Sequence, residues 1–82
     1  MNNKEFIKKY GALEFNDLTD SIGLRLGVLR ANRQIGAFKI NVKKKTVTFF
    51  TKNGNKTFDL ATIFYLTDEQ IQNIGQSLTV QE

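Results

Sequence analysis

The chain has no cysteine, histidine, proline or tryptophan among its 82 residues. Without cysteine there is no disulfide framework, thiolate metal site or cysteine nucleophile, so so small a domain depends for its stability on core packing or on a second copy. Without histidine the commonest general base, the commonest transition-metal ligand and the usual pH switch are gone as well. Long apolar runs are also missing. None approaches the roughly 18 residues that span a bilayer, and Met1-Asn2-Asn3-Lys4-Glu5 has none of the apolar character of a secretory signal. A cytoplasmic protein without a membrane role is expected.

Acids are scarce where chemistry would need them together. Glu5, Glu14, Asp17, Asp20, Asp59, Asp68, Glu69 and Glu82 are the only carboxylates, and most sit at caps and turns. A two-metal nuclease needs several converging carboxylates, and no nucleophile here has a base beside it. The chain is therefore expected to be non-enzymatic, with no cofactor and no metal.

What is present suits one small globular domain over residues 1–82. The hydrophobic share is 40% and the charged share 24%, and seven Phe with two Tyr supply the large side chains that a small core needs. Charge is laid out in blocks. Residues 1–20 set Lys4, Lys8 and Lys9 against Glu5, Glu14, Asp17 and Asp20, and residues 59–82 carry only acids. Between them Arg25, Arg30, Arg33, Lys39, Lys43, Lys44, Lys45, Lys52 and Lys56 run without one Asp or Glu. Such a stretch must be neutralised by the acidic flanks, by counterions or by a polyanion such as a phosphate backbone. The plainer alternative is that the terminal helices fold over and pair their acids with these bases, each surface pair being worth little.

Local signals place the elements. Asn2 and Glu5 have capping-box spacing, Phe6, Ile7 and Tyr10 share a helical face, and Gly11 follows as a C-terminal cap, which predicts a helix over residues 3–10. Thr67-Asp68-Glu69-Gln70 is a second capping box, with Leu66 and Ile71 as a hydrophobic staple and Ile71, Ile74 and Leu78 as the apolar stripe. Gly75 weakens that helix, and residues 79–82 are expected to form a mobile tail. Phe38, Ile40 and Val42 alternate with Lys39 and Asn41, a lysine turn follows, and Thr46–Thr51 is β-branched and aromatic, which makes a hairpin. The Asn53-Gly54 turn then leads to a third strand from Lys56 to Leu60, extending toward Ile63 and Tyr65.

Residues 15–34 fit two patterns. As a strand, Ile22, Leu24, Leu26 and Val28 share one face; as a helix, Phe15, Leu18, Ile22, Leu26 and Leu29 form a stripe. Gly23 and Gly27 each cost a helix interior nearly 1 kcal/mol, which tips the balance to strand. The expected fold is thus α+β, a small antiparallel sheet of three to four strands flanked by an N-terminal and a C-terminal helix. In the helical alternative, Ile22-Gly23 followed by Leu26-Gly27-Val28 resembles the core of a helix-turn-helix over about 20 residues. That resemblance implies a winged fold with Arg30, Asn32, Arg33 and Gln34 on the groove-reading helix and the Phe38–Thr51 hairpin as wing. It departs from the motif where Arg33 stands in place of an apolar residue and Ile35 is offset.

The expected function is nucleic-acid binding, of DNA or RNA, through Arg25, Arg30, Arg33, Lys39, Lys43, Lys44, Lys45, Lys52 and Lys56, with phosphate contacts supplying salt-dependent affinity. Lys43-Lys44-Lys45 would form an exposed basic knuckle or, more simply, a solubilising turn. One of the adjacent Phe49 and Phe50 must leave the buried side of its strand, and an exposed ring among bases either stacks on an unpaired nucleobase or covers another element. The rival expectation is a protein-interaction module or small inhibitor, of the kind carried by phages and plasmids, that docks its basic face on an acidic protein. A homodimer suits both, because an edge strand without proline and so short a chain each gain from a second copy.

Overall fold

The computed structural model describes residues 1–51 and 54–75. Lys52 and Asn53, Leu78 and the tail expected over residues 79–82 lie outside them. The elements in chain order are α1 (Asn3–Tyr10), α2 (Ala12–Ala31), β1 (Phe38–Asn41), β2 (Thr46–Thr51), β3 (Gly54–Asp59), α3 (Leu60–Phe64) and α4 (Asp68–Gly75). This is the expected α+β domain, with helices on both sides of a three-stranded antiparallel sheet in sequence and the strand order β1-β2-β3.

Both capping boxes form. The Asn2 side chain accepts from the Glu5 N–H at 2.8 Å while Glu5 Oε1 accepts from the Asn2 N–H at 3.0 Å. Thr67 and Gln70 exchange the same pair of bonds at the start of α4, whose Ile71 is buried. Gly11, at φ +95°, is the only residue between α1 and α2, and its N–H closes α1 on the Ile7 carbonyl at 2.8 Å.

The largest correction concerns residues 15–34, where the strand assignment is overturned. Helix α2 runs unbroken from Ala12 to Ala31 and buries Phe15, Leu18, Ile22, Leu26 and Leu29, the whole helical stripe. Two interior glycines cost about 2 kcal/mol together, whereas each large apolar side chain buried gains about 1.5–3 kcal/mol, so five of them decide the conformation. Leu24 and Val28, which the strand would have buried, stay 75% and 58% exposed. The helix-turn-helix alternative fails on the same observation, because Gly27 lies inside a continuous helix and no turn follows it. The Phe38–Thr51 hairpin is therefore part of the main sheet and not a wing.

The end of α2 is a Schellman cap. The Gln34 N–H donates to the Leu29 carbonyl and the Arg33 N–H to the Arg30 carbonyl, both at 2.9 Å, with Arg33 left-handed at φ +60°. Glycine is the residue that fits this position best, since a left-handed side-chain-bearing residue costs about 1–2 kcal/mol and glycine gives back about 0.4–1 kcal/mol through the unfolded chain. Arg33→Gly is accordingly expected to stabilise the domain by about 0.5–1 kcal/mol, read as a higher urea midpoint with unchanged slope.

The sheet is held in register by Phe38 opposite Phe49 and Ile40 opposite Val47 in β1–β2, and by Val47 opposite Phe58 and Thr48 opposite Thr57 in β2–β3. Phe38, Ile40, Val47, Phe49 and Phe58 point to one face and join the helical stripe in a single core with Leu60, Ala61, Ile63 and Ile71. The expected continuation of β3 toward Ile63 and Tyr65 is also corrected. Leu60 and Ala61 are both fully buried, which adjacent strand residues pointing to opposite faces do not achieve here, and the chain turns into α3 instead.

Asn3 fastens the ends of the fold together. Its Nδ2 donates to the Lys45 carbonyl at 2.6 Å, its Oδ1 accepts from the Ala61 N–H at 3.0 Å, and its backbone N–H donates to Asp59 Oδ2 at 3.1 Å. One amide thus joins α1, the hairpin turn and the start of α3.

Candidate functional site

With the described helices gathered on the Phe49 side, no described element covers the other side of the sheet. Alternation puts Lys39 and Asn41 of β1, Thr46, Thr48 and Phe50 of β2, and Asn55 and Thr57 of β3 on that outer face. Together with Lys44 these side chains line an open depression of about 380 Å³, a size within the usual range of small-ligand clefts, roughly 300–1,000 Å³. At its centre Thr48 and Thr57 share a hydrogen bond of 2.9 Å between their hydroxyls. Phe50 is 36% exposed, while its neighbour Phe49 is fully buried beside Phe58, with ring centroids 6.0 Å apart. The adjacent phenylalanines therefore divide as β alternation requires, one ring to the core and one to the open face.

On this face the bases outnumber the acids, Lys39 and Lys44 against Asp59, which alternation places there opposite Thr46. Asp59 is the only acid in the described strands, and its Oδ2 is taken by the Asn3 N–H. Lys39 and Lys44 are exposed on the face and Lys43 is exposed in the adjoining turn. That turn is shaped by Asn41, whose Oδ1 accepts from the Lys44 N–H at 2.9 Å, and by Lys45, left-handed at φ +58°. The Lys45 carbonyl accepts from the Leu60 N–H at 3.1 Å as well as from Asn3, so the base of the knuckle is fixed while Lys43 and Lys44 project.

The nine expected binding residues are not brought to one surface. Lys39, Lys43, Lys44 and Lys45 cluster on the outer face and its turn. Lys56, in register with Phe49, falls on the opposite side of β3. Arg30 lies in the last turn of α2 and Arg33 sits in its cap, both exposed. Arg25 is engaged within the fold: its Nε donates to Asp68 Oδ1 and its terminal nitrogen to the Leu66 carbonyl, each at 2.6 Å, tying α2 to the start of α4. Lys52 lies outside the described residues. Asn41, Thr46, Asn55 and Thr57 belong to the face but carry no signal in the sequence until strand register is known.

A second group of rings lies at the end of α1. Phe6 meets Tyr10 and Phe64 at centroid distances of 4.8 and 6.2 Å, and Tyr65 packs edge-on to Phe64 at 5.2 Å. Desolvation and, after it, hydrogen bonding to Tyr10 push the Tyr65 phenol above its ordinary value, against a smaller downward pull from Lys9; it stays protonated at neutral pH and offers no base. Among the described residues no three of His, Cys, Asp and Glu come together as metal ligands, and no helix is long and apolar enough to cross a membrane. Comparison with protein-family models, with curated proteins and with solved structures finds no match to this chain, so the site is read from its own residues.

Proposed function

We propose that this is a small, non-enzymatic, cytoplasmic nucleic-acid-binding protein that holds an unpaired strand of DNA or RNA on the outer face of its sheet. The observation that supports it is Phe50, a ring exposed in an open, polar sheet face on which Lys39 and Lys44 outnumber the one acid, Asp59. An aromatic ring on a flat sheet is a platform for base stacking, lysines beside it meet successive phosphates, and threonine and asparagine side chains offer donors and acceptors to base edges. A closed duplex presents no base face to Phe50, which favours the single strand.

The test is fluorescence anisotropy with single-stranded DNA, single-stranded RNA and duplex DNA across a salt series. Three lysines on three phosphates give a log–log salt slope of about −2, at roughly −0.7 per phosphate for single strands. Replacing Lys39 and Lys44 together with Gln is expected to reduce the magnitude of that slope by about 1.4, whereas Lys56→Gln, on the other side of β3, leaves it nearly unchanged. Absence of binding to every oligonucleotide at low salt defeats the proposal and turns attention to an acidic protein partner for the same face.

A further inference from the structure

The outer surface of α2 carries an arrangement that no other described element covers. Opposite the buried stripe, Leu24, Gly27, Val28 and Ala31 lie together and all are exposed. Leu24 and Val28 are exposed apolar side chains in mid-helix, and the space where a Cβ would stand on Gly27 has no atom within 4 Å. The flanks are charged by halves, with Asp17 and Asp20 toward the N-terminal end and Arg30, followed by Arg33 in the cap, at the C-terminal end. Among the described residues none of these four makes an ion pair, the Arg25–Asp68 contact being the one that forms.

We infer that this face pairs with the same face of a second copy, the two α2 helices running antiparallel about a two-fold axis between residues 24 and 27. In that register Leu24 of each copy seats over Gly27 of the other, where the missing side chain admits it, and Val28 and Ala31 widen the apolar contact. The same register carries Arg30 and Arg33 of one copy to the stretch from Asp17 to Ser21 of the other. Within one helix Asp20 and Arg30 are about 15 Å apart along the axis, out of reach of one another, so the halves complement each other only between copies. A two-fold contact meets this condition twice, because each residue pair recurs with the copies exchanged. Two single helices bury an area at the low end of specific interfaces, about 1,200 Å² in total, so association is expected to be reversible and dependent on concentration.

Sedimentation equilibrium of the whole chain over a concentration series is the test. The mass is expected to rise from that of the 9.4 kDa chain toward twice that value. Leu24→Glu is expected to hold the protein monomeric at every concentration while its thermal melt, monitored by circular dichroism at a concentration where the parent too is monomeric, stays that of the parent, Leu24 being outside the core. Asp20→Arg and Arg30→Asp each place two like-charge pairs in the homodimer and weaken it about tenfold. Mixed in equal amounts, the two variants form a heterodimer in which both pairs are again opposite in sign, and parental affinity returns. A monomer throughout, a dimer indifferent to Leu24→Glu, or a mixture no tighter than its components overturns the inference.

Discussion

Phe49→Ala and Phe50→Ala, one residue apart, are expected to fail in opposite ways. The Phe49 ring is fully buried between β1 and β3, in register with Phe38 and edge-on to Phe58. Its removal leaves a cavity that the sheet cannot close, at a cost of about 3–5 kcal/mol. Domains have only about 5–15 kcal/mol in total, so this variant is expected to be largely unfolded near physiological temperature and to show a collapsed urea midpoint. Phe50 rests on the outer face with threonine and asparagine around it, and truncation there is expected to move stability by no more than about 0.5 kcal/mol. What it removes is the stacking platform, worth about 1–3 kcal/mol per base, or a loss of about 5- to 150-fold in single-strand affinity with duplex affinity little changed. Parental single-strand binding by Phe50→Ala would remove the ring from the mechanism. A stability loss as large as that of Phe49→Ala would make it part of the core.

The second large effect belongs to Asn3. Asn3→Ala leaves the Ala61 N–H without its partner in a half-buried corner and takes from the Lys45 carbonyl one of its two donors, the Leu60 N–H remaining. An orphaned N–H costs about 1–3 kcal/mol and the lost second bond to the carbonyl about 0.5–1.5 kcal/mol, so a loss of about 1.5–4 kcal/mol is expected in urea denaturation, together with faster hydrogen exchange at the Ala61 amide. Asn3→Asp, nearly isosteric, keeps an acceptor for Ala61 but turns a carboxylate oxygen toward the Lys45 carbonyl, and is expected to do no better than alanine. A change within about 0.5 kcal/mol of the parent, the range of ordinary surface substitutions, would show that water replaces the amide without loss.

These two residues mark what the sequence made legible and what it concealed. The caps at Asn2–Glu5 and Thr67–Gln70 are readable because every partner lies within three residues, and the β1–β2 hairpin because its alternation is local. The separation of Phe49 from Phe50 follows from the same alternation, and with it the placement of Lys39 and Lys44 near an exposed ring. Residues 15–34 were decided by how many side chains the rest of the fold would bury, a quantity that glycine propensity does not contain. Helix α3 takes the bond at its N-terminal turn from Asn3, 58 residues earlier, and nothing in Leu60–Phe64 announces it. Arg25 counts among the bases in sequence, yet its partner Asp68 comes from the acidic end of the chain, the one described case of the pairing between blocks that charge layout allowed for.

The bonds of Asn3 also set an order on biosynthesis. Helix α1 is made before its partners, because the groups that bond the Asn3 amide belong to residues 45 and 61. At about 5–20 residues per second, roughly 3–12 s pass before Ala61 follows Asn3 out of the peptidyl-transferase centre, with further delay in the exit tunnel. When Lys56 is added the nascent chain has all its central bases, while Asp59 and Asp68, the partners of the Asn3 N–H and of Arg25, are still to be made. At that point the growing chain carries twelve bases against four acids, its most positive state, and each charged residue added afterwards is an acid that lowers it.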